Sequence, residues 1–110
     1  LNQIKEGVLF INNENVVTHI NHVGEQLLGL IPGEIIGESV SRKISHSVFL
    51  EGLSAAFEND KKITGETFSI KEDVNLDLYI IPIKDKYGVI VRCIVVLFES
   101  EKDSSGEDKS

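Results

Sequence analysis

The sequence has no tryptophan, no methionine, two prolines and a single cysteine, Cys93. One thiol cannot form an intramolecular disulfide, so the fold must be held by its core; a reducing compartment fits that usage. Long apolar runs are also missing. None approaches the roughly 20 residues that span a bilayer, and no signal peptide is visible. The first residue is Leu1. The expectation is therefore a domain excised from a longer parent, cytoplasmic itself even where that parent is membrane-anchored. Basic residues are scarce: 11 Lys and Arg stand against 18 Asp and Glu, for a net charge of −7. Phosphate binding needs a basic surface, so nucleic acid is not an expected partner, nor is direct contact with an anionic membrane.

Catalytic patterns are absent as well. There is no G-x-S-x-G, no phosphate-binding glycine loop, no G-x-G-x-x-G and no HExxH. His19 and His22 straddle a change of hydrophobic period and lack converging ligands, so no metal site is expected. Cys93 is flanked by aliphatics and reads as a core or interface residue rather than a nucleophile. No catalytic residue is assigned, and the isolated domain is not expected to be an enzyme.

What is present is ordinary material for one folded domain. The chain has 110 residues, 41% of them apolar and 26% charged, enough for a single core. Val8-Leu9-Phe10-Ile11 and Val16–Ile20 are strand-like runs separated by Asn12-Asn13-Glu14-Asn15, which predicts a hairpin with Asn15 left-handed. The period then becomes helical. Asn21 is a candidate N-cap, Val23, Leu27 and Leu28 share a side, and Gly29 stops the helix. Pro32 predicts the start of a second helix and Gly37 its end. Ser39 to Ser47 reads as a polar loop or frayed turn.

From Val48 to Asn59, Leu50, Leu53 and Phe57 repeat on one face with Phe49 and Ala56 beside them, a longer helix that Ser45 or Ser47 could cap. Three strands are predicted after it: Ile63–Lys71, Val74–Lys84 and Val89–Phe98. Residues 1–6 read as the end of a connecting helix, 7–99 as the domain, and 100–110 as a disordered tail or linker.

The first half resembles the opening of a PAS domain. The residues that carry the likeness are Gly7, Asn21, Glu25, Leu27-Leu28-Gly29, Glu34 and Ile36-Gly37; Pro82-Ile83-Lys84-Asp85 with Gly88 adds to it. The resemblance implies an α+β fold, with a five-stranded antiparallel sheet in the order 2-1-5-4-3 and short helices on one face. It implies a sensory and dimerising module coupled to an output domain of the same parent, most simply a bacterial sensor histidine kinase. An enhancer-binding transcription activator, or a haem- or flavin-binding sensor, is the alternative.

Two departures stand out. Asn12 and Asn15 replace the frequent Asp-x-x-Gly, and Ser100-Glu101-Lys102 stands where many members carry Asp-Ile-Thr, the motif that couples sheet to following helix. The flavin-type cysteine motif is missing from Ser41–His46, and His46 precedes the long helix that carries the histidine of haem-binding members. No cofactor is therefore expected, and any small-molecule ligand is unidentified.

Two candidate sites follow. The resemblance places a ligand pocket between sheet and helices, lined here by Asn21, Leu28, Phe49, Leu53, Phe57, Val91 and Cys93; a core packed solid by these side chains is an equal expectation. Asn21 itself reads first as a cap bridging neighbouring backbone. The opposite sheet face is too apolar for water: Ile81, Ile83, Ile94, Val96 and Phe98, with Leu1 and Ile4 upstream, are expected to meet a helix or a second copy in a homodimer.

Overall fold

The structure, a computed structural model, describes residues 5–101. Leu1, Ile4 and the stretch from 102 lie outside them. Eight elements follow in order: β1 (Gly7–Asn12), β2 (Val17–Ile20), α1 (His22–Leu28), α2 (Val40–Lys43), α3 (Ser47–Asn59), β3 (Ile63–Lys71), β4 (Val74–Lys84) and β5 (Ile90–Glu99). The strands form one antiparallel sheet in the order β2-β1-β5-β4-β3, the α+β arrangement that the resemblance implied.

The first hairpin is built by its asparagines. Asn12 Oδ1 accepts from the Glu14 and Val16 backbone N–H groups at 2.9 and 3.1 Å. Asn15 sits at φ 63°, the left-handed conformation expected of it. The outer edge of β2 is not left open. Gly37 N donates to Val17 O, Val17 N to Glu38 O, and Val16 bridges Ser39. Residues 37–39 thus cover an edge that could otherwise pair with another chain.

One sheet face carries the core. Leu9, Ile11 and Val17, Leu76, Leu78 and Ile80, and Cys93, Val95 and Leu97 are buried there beneath Ile35, Val40, Ile44, Phe49, Leu53 and Ala56 of the helical layer. The helix α3 lies close on the sheet because Gly52 has no side chain: a Cβ there would stand 3.2 Å from Ile80 and 3.4 Å from Ile63. In β3 a bulge between Thr64 and Glu66 shifts the register. That extra residue is why Ile63 and Phe68, of opposite parity, are both buried.

Four local expectations are corrected. Residues 32–37 form turns rather than a helix, because Gly33 and Gly37 both adopt positive φ (79° and 83°) and Ile35 must drop into the core. The second helix is instead α2, inside the predicted polar loop, anchored by buried Val40. α3 begins one residue early, and its N-cap is His46, whose side chain makes no capping hydrogen bond, rather than Ser45 or Ser47. β5 starts at Ile90; Val89 is half exposed in a turn where Asp85 Oδ1 accepts from both Tyr87 N and Val89 N.

Candidate functional site

Asn21 joins three pieces of backbone. Its Oδ1 accepts from Val8 N at 2.9 Å and from Gly24 N at 2.8 Å, while its Nδ2 donates to Glu6 O at 2.9 Å. Its own N–H donates to Val8 O. One amide thereby caps α1 and ties it to the start of β1, as its reading as a bridging cap anticipated. A second tie comes from Glu25, which is buried and accepts from Gly33 N at 2.7 Å. The turn after α1 is held by that carboxylate.

The candidate pocket residues are spread over several places. Phe49, Leu53 and Cys93 are in the packed core. Burial raises the Cys93 thiol from 9.0 to about 11, so it stays protonated and unreactive at neutral pH. Leu53 and Phe57 come together in a cleft of about 360 Å³ between the first hairpin turn, α2 and α3, whose polar rim is Asn13, Asn15, Ser41, Ser54 and Glu58. Leu28 lines a different cleft, of about 320 Å³, with His46. Asn21 borders a third, shallow one on the outer side with Val8 and Phe10. Val91 is half-buried on the core-facing parity of β5. His19 bonds Thr18 while His22 faces Glu25 at 4.0 Å, and among the described residues no three metal-ligating side chains converge.

The outer face of the sheet is a continuous apolar strip. Ile81 is opposite Ile94, and Tyr79 opposite Val96, across β4 and β5. On the other side of β5, Phe10 is opposite Ile94 and Val8 opposite Val96. The Tyr79 and Phe98 rings stack at 5.5 Å. Ile83, Ile94, Val96 and Phe98 are half-buried and Ile81 is 37% exposed. Sequence reasoning missed Val8 and Phe10. The signal was available: with β1 beside β5, their parity had to put them next to Ile94 and Val96.

The chain enters and leaves the fold at one groove. Lys5 and Glu6 line it from one side, Phe98, Glu99, Ser100 and Glu101 from the other, and α1 forms its floor through Val23, Gln26 and Leu27; its volume is about 560 Å³. Ser100 N still donates to Asn75 O, so the sheet holds the chain to this point.

A family model described as "PAS domain" matches residues 5–100. The chain belongs to the PAS domain family. Solved PAS structures agree in fold. A sensory box sensor histidine kinase from Vibrio cholerae superposes with a TM-score of 0.73 at 13% identity, covering 91% of this chain and 86% of that one. The PAS domain of nitrogen regulation protein NR(II) from Vibrio parahaemolyticus gives 0.65 at 21% identity, covering 91% and 94%. The PAS domain of histidine kinase ThkA gives 0.70 at 16%, covering 84% and 98%. Curated protein sequences gave no match.

The positions that carry the PAS likeness have physical tasks here. Gly7 lets β1 touch α1, Asn21 ties them, and Gly29 closes α1 in the left-handed conformation at φ 69°. Glu25 and Gly37 fasten the connection that covers β2.

Proposed function

We propose that this PAS domain is a sensory and dimerising module that couples a signal to the output domain of a bacterial sensor histidine kinase. The observation that carries this reading is the outer strip of Val8, Phe10, Tyr79, Ile81, Ile94, Val96 and Phe98, apolar across three strands in a chain of net charge −7. Such a strip is a contact surface rather than a water-facing one. It faces away from the core, so a second copy can cover it without disturbing the pocket side. The parent's identity as a kinase is supported by the kinases among its structural neighbours. A change at the inner clefts or on the strip would bias the connection to that output domain.

Sedimentation over a range of concentrations tests the dimer. The expected result is a concentration-dependent dimer that Ile94→Glu converts to a monomer with its circular dichroism unchanged. A wild-type chain that stays monomeric at all concentrations would overturn the reading.

A further inference from the structure

The 320 Å³ cleft that holds Leu28 and His46 is not explained by dimerisation. It lies where the end of α1, the residue before α3, the β3–β4 hairpin and the end of β5 meet. Its volume is at the small end of ligand pockets, which run from about 300 to 1,000 Å³. One wall is aliphatic: Leu27, Leu28, Ile70 and Val74, all partly buried against the core. The polar ends on the cleft are Lys71, Glu99, Gln26 and His46.

Among the described residues, neither Lys71 nor Glu99 has an ion-pair partner, whereas Lys43 and Lys84 each have one. His46 Nδ1 is buried with no hydrogen-bond partner, its ring packed on Phe68 at 5.4 Å. A buried polar atom without a partner costs stability and calls for an explanation. The cleft thus combines one cation, one carboxylate, an amide and an imidazole with an aliphatic wall.

That combination selects by charge. A simple anion would meet Glu99, and a simple cation would meet Lys71. A molecule carrying both charges next to an apolar body satisfies both and covers the wall. We infer that the cleft binds a zwitterion with an aliphatic side chain, that is, a free hydrophobic α-amino acid: carboxylate toward Lys71, ammonium toward Glu99, side chain on Leu27, Leu28, Ile70 and Val74. Gln26, Leu27 and Glu99 also line the groove where the chain leaves the fold. Occupancy would therefore be felt at the exit of β5.

The probe is L-leucine, titrated into the isotopically labelled chain and followed by backbone amide NMR. Saturable shifts are expected at Leu28, Gly29, His46, Ile70 and Val74. Lys71→Gln and Glu99→Gln, both at exposed positions, should each weaken binding about tenfold. Two truncated probes separate the charges: 4-methylpentanoate lacks the ammonium and 3-methylbutylamine lacks the carboxylate, and both should bind far more weakly. No saturable shift with leucine would overturn the proposal. So would equal binding of either truncated probe, or binding indifferent to both substitutions.

Discussion

Gly7 and Gly24 meet backbone to backbone: a Cβ on Gly7 would stand 2.7 Å from Gly24 Cα and 3.0 Å from Gly24 N. No side chain could rotate away from that contact, since the obstacle is main chain. Gly7→Ala must push α1 off β1 or distort Asn21's hydrogen bonds. The expected loss is about 1–3 kcal/mol of stability, the usual cost of overpacking. Gly29→Ala is the comparison. Nothing lies within 4 Å of a Cβ there, and only the positive φ of 69° opposes it, for about 1–2 kcal/mol. Urea denaturation midpoints of the two variants test both values.

Asn21 is the next lever. Asn21→Ala removes one acceptor serving two N–H groups and one donor, for an expected loss of about 2–3 kcal/mol. Asn21→Asp keeps the acceptor but turns a carboxylate oxygen toward Glu6 O in place of the amide donor. It should fall between wild type and Asn21→Ala. Thermal unfolding of the three proteins side by side, with the order wild type, Asp, Ala, is the outcome that fits. An Asp variant less stable than the Ala variant would contradict the capping role.

Cys93 gives a pH dependence whose sign can be worked out. The unfolded thiol ionises near 9.0, and the buried one only near 11. Above 9.0 the unfolded chain holds fewer protons than the folded one, so stability falls as pH rises. The loss develops between about 9 and about 11 and is absent at lower pH. Each unit of difference corresponds to about 1.4 kcal/mol, which puts the full effect on the order of 2–3 kcal/mol. Other groups titrate in the same range, so the measurement is the difference between wild type and Cys93→Ala in denaturation from pH 8 to about 11. That difference should shrink with rising pH. The thiol should also resist alkylation until denaturant opens the core.

The strands were legible because their signals are local. Alternation through Val74–Ile80 and the asparagines of the first turn act over a few residues, and both appear in the structure as read. Pro32 to Gly37 was not legible in the same way. A proline at the start and a glycine at the end suit a short helix, but the Glu25 bond to Gly33 and the burial of Ile35 are tertiary effects that override it. The candidate pocket shows the same division. Parity placed Cys93 on the core side. Only the depth of packing decides that Phe49 is sealed in while Leu53 and Phe57 reach a cleft. The N-cap place of His46 and its unpartnered Nδ1 carried no sequence signal, because a cap that fails to cap is visible only in three dimensions.

The pairing of Gly7 with Leu97 has a mechanical side. The strand that begins the fold and the strand that ends it are antiparallel neighbours, so tension between the two chain ends loads their hydrogen bonds in sequence, as in opening a zipper, rather than all together. Little force is needed to part the first rungs. A tug on the two chain ends would be absorbed at Gly7 and Leu97 while the rungs deeper in the ladder, near Asn12 and Arg92, stayed closed.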